Sequence, residues 1–148
     1  MKTKLMPTTF LLVAILLCLA LNLLIPITYL FPAPINLLGL IPLLIGLWLN
    51  LYADRAFKRA DTTVKPFKES NSLIEDGVFR FSRNPMYFGF VLILLGISIL
   101  LRSLSPYIVV VLFVLLIDRM YIRYEEQMLV TKFGDEWKAY RSRVRKWI

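Results

Sequence analysis

The sequence contains no histidine and a single cysteine, Cys18, among its 148 residues. Without histidine there is no imidazole that could act as a general base near neutral pH. A Cys/His zinc site cannot form either, and one cysteine cannot make a disulfide within the chain. These absences exclude a disulfide-stabilised scaffold and histidine-dependent catalysis, and we expect no bound metal ion.

Apolar residues are abundant instead. They make up 58% of the chain, and the mean hydropathy is +0.66, whereas soluble domains are typically about 45–50% apolar. The first apolar run, residues 10–33, carries no charge and exceeds the roughly 20 residues that a helix needs to cross a bilayer. It is also longer than the apolar core of a secretory signal, about 7–15 residues. The composition therefore predicts an integral membrane protein.

Four apolar segments organise the chain, at about residues 9–31, 35–53, 86–101 and 104–117. A proline-containing turn separates the two members of each pair. The polar segments 54–84 and 118–148 follow the second and fourth apolar segments. We predict an all-α, multi-pass membrane protein in which residues 1–148 form one domain with about four transmembrane helices and a helical C-terminal segment.

The basic residues are distributed unevenly between these segments. Of the 18 lysines and arginines, two precede the first span, seven lie in residues 54–84, eight follow Asp118, and Arg102 stands alone. An even number of spans places seventeen of them on one side of the membrane, and the positive-inside rule makes that side cytoplasmic. We therefore expect both termini in the cytoplasm. The net charge of +8 then reflects topology, and no nucleic-acid partner is expected.

The stretch "RFSRNPMYFGF" begins the third apolar segment. Asn84 followed by Pro85 predicts a helix N-cap and first helical residue. The free N–H groups of that helix end, together with Arg83, would favour an anion. Gly89 would let a ligand or another backbone approach one turn later. The alternative is that Arg83 only anchors the topology and Tyr87 is only an interface aromatic, and the residues alone leave both interpretations open.

Residues 119–133 have a helical pattern, and Gly134 is a natural stop after it. At 100° per residue one face of this helix carries apolar side chains, namely Ile122, Leu129 and Phe133. Glu126 projects from the middle of that face, and Glu125 lies at its edge. A segment of this kind predicts a buried carboxylate.

A buried carboxylate is costly unless it is paired or hydrogen-bonded. Glu126 would either bind a cationic or diol-bearing ligand, or pair with Arg83 or Arg123 and hold the tail to the loop. With the anion site before the third span, a ligand that carries a carboxylate, an ammonium, a sulfonium and a ribose would satisfy both sites. S-adenosylmethionine has all four groups.

Several motifs resemble those of the isoprenylcysteine carboxyl methyltransferase-like family of integral membrane methyltransferases, which includes phospholipid methyltransferases. The resemblance covers roughly residues 50–148 and rests on "TTVKPF" (62–67), "LIEDGVFRFSRNPMYFG" (73–89), "RYEEQML" (123–129) and "FGDEWKAYRSRVRKWI" (133–148). The family's Arg-His-Pro-x-Tyr stands here as Arg83-Asn84-Pro85-Met86-Tyr87, so Asn84 replaces a titratable side chain. The family's paired glutamates, which contact the cofactor, correspond to Glu125 and Glu126.

The resemblance implies S-adenosylmethionine-dependent methyl transfer to a lipid or hydrophobic small molecule, whose accepting group is a carboxylate, thiol or amine. It implies a cofactor site that the C-terminal segment closes, formed by Arg83, Asn84, Pro85, Tyr87, Gly89, Glu125 and Glu126. The expected catalytic residues are Arg83, Tyr87 and Arg123. A nicotinamide-dependent reductase relative and a non-catalytic membrane protein are the alternatives, and the oligomeric state is left open.

Overall fold

The computed structural model describes residues 6–60 and 72–148, and the regular structure in these two ranges is helical. The motif at residues 62–67 and the lysines Lys2 and Lys4 lie outside the described residues. The helices in chain order are α1 (Pro7–Leu24), α2 (Leu40–Arg59, preceded by a 3₁₀ turn at Ile35–Gly39), α3 (Pro85–Leu101, preceded by a 3₁₀ turn at Gly77–Arg80), α4 (Ser105–Ile117), a π-helical turn (Asp118–Ile122) and α5 (Arg123–Arg143).

Three helical stretches within the described ranges are long and apolar enough to cross a membrane: Pro7–Leu24, Ile35–Arg59 and Ser105–Arg143. The shorter α3 is apolar as well. The prediction of an all-α membrane protein with about four spans is thereby confirmed. In the longest stretch the apolar part ends by Ile122, because Arg123 adds a third charge to those of Asp118 and Arg119. Residues from 123 onward therefore lie beyond the span.

The predicted boundaries were wrong at two helix ends. The first helix ends at Leu24 rather than near residue 31, because Pro26 disfavours helical geometry at the residue before it and lacks an N–H donor. Ile25 accordingly has φ −139° and ψ 64°. The second helix continues past residue 53 to Arg59, and a Lys58–Asp54 ion pair at 2.6 Å lies along this polar extension.

Helices α2 and α3 pack against each other through two pairs of glycines. A Cβ on Gly39 would lie 2.5 Å from the carbonyl oxygen of Gly96, and one on Gly46 would lie 2.5 Å from that of Gly89. Small residues at matching positions let two membrane helices bring their backbones together. Since Gly39, directly before α2, meets the later glycine of α3, and Gly46 of α2 meets the earlier one, the two helices are antiparallel.

The two ends of the helix bundle differ in what they contain. At one, which we call the clasp end, the chain after α1 crosses the connection between α3 and α4. Leu30 N donates to Arg102 O at 2.7 Å, and Leu104 N donates to Thr28 O at 2.9 Å. At the other, the pocket end, α1 and α3 begin and α2 ends around one cavity. The core between the ends contains fully buried side chains of α1, α3, α4 and the π turn, among them Cys18, Leu94, Ile117 and Tyr121.

Candidate active site

A cavity of about 230 Å³ lies at the pocket end. Most of its wall is apolar, formed by Met6, Pro7, Phe57, Phe79, Pro85, Met86 and Phe90. The polar side chains that line it are Thr8, Arg83, Asn84, Tyr87 and Glu125. Apolar walls with a few converging polar groups are the usual composition of a small-molecule site.

Arg83 is the most deeply buried cation at this cavity, with its side chain only 7% exposed. Its Nη2 lies 3.1 Å from Oε1 of Glu126, whose side chain is 14% exposed. The guanidinium also lies over the Trp137 ring, 5.6 Å from its centroid. Burial lowers the pKa of Arg83, and the carboxylate of Glu126 opposes that shift. Arginine nevertheless keeps its proton in proteins, so the site holds a fixed positive charge.

Two donors of the Arg83 guanidinium remain unused. Nε and Nη1 are both buried, and neither has a hydrogen-bond partner in the described part of the chain. A buried donor without a partner costs free energy. An anionic group of a ligand in the cavity would satisfy one of these donors with a charge-assisted hydrogen bond. The two point to different edges of the guanidinium, so a second acceptor is needed for the other.

Tyr87 and Glu125 form the second polar feature of the cavity. The Tyr87 hydroxyl donates a hydrogen bond of 2.7 Å to Oε1 of Glu125. Glu125 lies beyond the membrane span, and burial raises its pKa to about 7, against the lowering effect of the hydrogen bond from Tyr87. Near neutral pH the Glu125 carboxyl group can therefore both release and accept a proton, and its ionised form can hold a cation.

Asn84 occupies the predicted N-cap position of α3, but its side chain does not cap the helix. Its Nδ2 instead donates to the carbonyl oxygen of Lys146 at 3.0 Å. The main-chain N–H of Asn84 donates to Ser82 Oγ at 3.1 Å. The predicted capping bond was wrong because the C-terminal residues 144–148, here named the strap, place a carbonyl group beside this side chain. Pro85 is the first residue of α3, as predicted.

The two glutamates do not have the positions that regular helical spacing indicated. Glu126, expected to face a ligand, makes the ion pair with Arg83 that was its alternative assignment. Glu125, expected at the edge of the face, lines the cavity. The physical reason is the set of partners that α3 and the corner before it supply: Arg83 lies beside Glu126 and Tyr87 beside Glu125.

The structure does not bring two other predicted residues to the cavity. The open side of Gly89 faces α2, where a Cβ would meet Gly46 O and the side chain of Asn50. Gly89 thus serves the approach of a second backbone rather than of a ligand. Arg123 has a side chain that is 64% exposed and lies 3.4 Å from Asp118 Oδ2. It is not among the described residues that line the cavity.

Several cavity residues were missed by sequence reasoning. Met6 and Thr8 come from the start of α1, and Phe57 from the polar extension of α2. Phe79 packs edge-to-face against Phe57, with ring centroids 5.4 Å apart. No periodic signal marks these positions, because chain ends and a loop bring them together. Trp137 lies within a motif that carried the resemblance, and that was the one signal pointing to it.

Two sequence comparisons show what this chain is similar to. A sequence model of the phospholipid methyltransferase family matches residues 35–136. An uncharacterised protein of Haemophilus influenzae is 38% identical over 63 residues, which are 43% of this chain and all of that protein.

The fold is similar to a solved structure, that of the eukaryotic intramembrane Ras methyltransferase, isoprenylcysteine carboxyl methyltransferase. The TM-score is 0.66 at 23% sequence identity, over 95% of this chain and 51% of the other, so this chain spans about half the length of that enzyme. At this identity the likeness concerns the fold. The family match covers more than half of the chain, and this integral membrane protein therefore belongs to the phospholipid methyltransferase family.

Proposed function

We propose that this protein transfers a methyl group from S-adenosylmethionine to a hydrophobic or lipid-embedded acceptor at the cytoplasmic face of the membrane. The observation that carries the proposal is the buried guanidinium of Arg83, whose Nε and Nη1 lack partners in residues 6–60 and 72–148. Family membership supports the reaction class, and the polar groups of the cavity support the methyl donor.

The donor set of the cavity fits the polar groups of S-adenosylmethionine. Arg83 would bind its carboxylate through one of the two unused donors, Nε or Nη1. Glu125 in its ionised form would hold the ammonium group or accept hydrogen bonds from the ribose, beside the Tyr87 hydroxyl. The cavity volume of about 230 Å³ is slightly below the roughly 300–1,000 Å³ of ligand pockets.

The apolar wall favours the chemistry of methyl transfer. When bound, S-adenosylmethionine supplies an electrophilic methyl group, which a lone pair of the acceptor takes as the carbon–sulfur bond breaks and its electrons remain on sulfur. Because the sulfonium charge is lost in this step, surroundings less polar than water favour the transition state. The residues of the cavity contribute by holding the two reactants in line and excluding water.

Glu125 also provides a place for a proton. A carboxylate acceptor has no proton to lose, whereas an ammonium or thiol acceptor must release one before it attacks. With its pKa raised to about 7 by burial, Glu125 can take that proton near neutral pH. The pocket thus supports a carboxylate, thiol or amine as the accepting group.

Calorimetry with S-adenosylhomocysteine tests the proposal directly. The full-length protein in detergent should bind one molecule per chain, and a reduced nicotinamide cofactor should not compete. Incubation with methyl-labelled S-adenosylmethionine and lipid extracts, followed by mass spectrometry, should then identify the methylated acceptor. Absence of heat at millimolar S-adenosylhomocysteine, with the protein demonstrably folded, would refute the proposed function.

The orientation is tested separately. The structure has α1 beginning and the strap ending at the same end of the bundle, in agreement with an even number of spans. Cysteines introduced as Ala33→Cys near the clasp end and Ser142→Cys in the tail should react with membrane-impermeant reagents from opposite sides. Labelling of both from one side would contradict the proposed topology.

A further inference from the structure

We propose that the pocket end carries a binding surface for phospholipids with a negatively charged headgroup. Its cations are Arg141 and Arg145, its apolar side chains are Phe81 and Ile148, and we call these four residues the rim. The inference goes beyond the proposed methyl transfer and does not depend on it, because the rim is separate from the residues that line the cavity.

The strap lies at the level where two spans leave the membrane. The main-chain N–H of Arg83, two residues before α3 begins, donates to Arg145 O at 3.0 Å. Lys146 Nζ lies 2.8 Å from Oδ1 of Asp118, the first residue after α4. Trp147 packs against the buried core of the bundle. These contacts place the strap beside the membrane surface, in the layer that lipid headgroups occupy.

The positive charge of this part of the chain is only partly compensated. Residues 138–146 contain five lysines and arginines and no acidic residue. Three of these cations have a carboxylate partner at 2.8 Å, namely Lys138, Arg143 and Lys146. Arg141 and Arg145 are exposed, and neither pairs with a carboxylate of residues 6–60 or 72–148. Arg141 also lies close enough to Arg83 for the two like charges to repel each other. An external anion beside the two unpaired arginines would therefore be favourable.

Two large apolar side chains are exposed at the same level. Phe81 is 76% exposed and Ile148 is 65% exposed. Ser82 Oγ donates to Lys146 O at 3.4 Å, so each of the two apolar residues lies within two positions of this bond along the chain. Aromatic and aliphatic side chains at a membrane surface insert among the lipid chains, while neighbouring cations contact the phosphates. The positive-inside rule accounts for the arginines alone, whereas lipid contact accounts for both kinds of side chain.

The charge of the rim selects among the phospholipids that surround the protein. A phosphatidylcholine headgroup offers a phosphate but adds a quaternary ammonium group, which the two unpaired arginines repel. A phosphatidylglycerol headgroup offers the phosphate without a cation, so its net charge is negative. Basic side chains next to a membrane surface bind anionic lipids, with a gain in affinity of about fivefold for each lysine or arginine. The rim therefore favours the anionic lipid.

Native mass spectrometry of the full-length protein in detergent tests the rim. The protein is titrated with phosphatidylglycerol or with phosphatidylcholine of the same acyl chains, and the dissociation constant of the first bound lipid is measured. Phosphatidylglycerol should bind at least about fivefold more tightly than phosphatidylcholine. Arg141→Gln and Arg145→Gln should each weaken phosphatidylglycerol binding about fivefold and leave phosphatidylcholine binding unchanged.

The same segment offers a matched control. Lys138→Gln removes one positive charge, as Arg145→Gln does, but at a cation that already pairs with Asp135, and it should leave the affinity for phosphatidylglycerol unchanged. Phe81→Ser removes an apolar contact without changing the charge, and it should weaken the binding of both lipids. All of these side chains are exposed, so thermal melts should show that each variant is folded.

Two results would overturn the inference. Equal affinities of the unmodified protein for the two lipids would show that the rim has no preference for a negative headgroup. Equal losses of phosphatidylglycerol affinity in Lys138→Gln and Arg145→Gln would show that the lipid responds to net charge and not to the rim. Neither measurement involves S-adenosylhomocysteine, so a failure of the proposed methyl transfer would leave both of them unchanged.

Discussion

An arginine lies at each end of α3, and the two have different surroundings. Arg102, at the clasp end, donates from Nε to Phe31 O at 3.0 Å and lies over the Tyr29 ring, 5.5 Å from its centroid. Its main-chain carbonyl accepts a bond from Leu30. Arg83, at the pocket end, has a single carboxylate partner and two buried donors with none among the residues that the structure describes.

The difference distinguishes a structural arginine from one that is kept for a ligand. The partners of Arg102 are one backbone carbonyl, one backbone N–H and a ring, all supplied by the fold itself. The Arg83 side chain is buried and its donors are less well satisfied, which is unfavourable in a folded protein without a further partner. At the pocket end, Arg83 therefore lacks hydrogen-bond acceptors, and a bound anion would supply one.

Glu126→Gln should produce the largest effect, because within residues 6–60 and 72–148 Glu126 is the carboxylate that pairs with Arg83. Breaking a buried ion pair costs roughly 3–5 kcal/mol, and both side chains here are well shielded. Thermal melts of the ligand-free protein should show this loss of stability. Glu125→Gln is the control and should be milder, since the amide oxygen of glutamine can still accept the bond from Tyr87. If both substitutions lowered the melting temperature equally and only slightly, Glu126 would not stabilise the protein through its ion pair with Arg83.

Arg83→Lys sharpens the comparison between the two arginines. Lysine keeps the positive charge beside Glu126 but lacks the planar fork. We expect affinity for S-adenosylhomocysteine to fall by roughly 1.5–3 kcal/mol, as for loss of a hydrogen bond to a charged group. Arg102→Lys should lower the melting temperature and leave affinity unchanged. Calorimetry of the two variants decides this, and equal affinities would assign Arg83 a structural role like that of Arg102.

The glycine pairs between α2 and α3 should respond in the same way to substitution at the two ends of the bundle. Gly89 lies towards the pocket end and Gly96 towards the clasp end. A Cβ on Gly89 would lie 2.8 Å from the carbonyl oxygen of Gly46 in α2, and one on Gly96 would lie 2.6 Å from that of Gly39, directly before α2. Overpacking of this kind costs roughly 1–3 kcal/mol. Gly89→Ala and Gly96→Ala should therefore lower the melting temperature by similar amounts. If Gly89→Ala lost S-adenosylhomocysteine binding at temperatures where the variant is folded, Gly89 would instead have a role in ligand binding.

The smallest expected effect is a pH dependence confined to the pocket end. The pKa of Glu125 is raised by burial from 4.5 to about 7, so its contribution to stability is greatest below pH 4.5 and is lost as the pH rises through 7. A cationic ligand group needs the ionised form. Affinity for S-adenosylhomocysteine should thus fall by up to about tenfold for each pH unit below 7. Calorimetry between pH 6 and 8 should show this slope, and Glu125→Gln should abolish it.

Much of the architecture was predictable from the sequence because a bilayer imposes simple requirements. The uncharged runs, the proline-containing turns and the Asn84–Pro85 step each indicated a helix or its boundary, and the resulting helices are present. Boundaries were less certain where polar residues extend a helix beyond its apolar part, as at the end of α2. Pro26 indicates the end of α1, but the apolar residues that follow it led to a predicted segment that runs on to about residue 31.

The candidate site was only partly predictable. Arg83, Asn84, Pro85, Tyr87 and Glu125 do line one cavity, and their motifs indicated them. The different partners of Glu125 and Glu126 could not be read from 100° spacing, since Tyr87 and Arg83 reach them from another part of the chain. Whether Asn84 caps its own helix or binds the strap depends on a carbonyl group 62 residues away. Local propensity does not report contacts at that distance.

The sequence by itself determined the membrane class, the all-α fold and the family, because each depends on composition, order and short motifs. The tertiary structure alone decided which donors of Arg83 remain unpaired, which glutamate lines the cavity and what Asn84 holds. The physical reason is that spans and turns follow from the transfer of nearby residues between water and lipid. Hydrogen-bond satisfaction at the pocket end instead depends on where α1, α3, α5 and the strap meet.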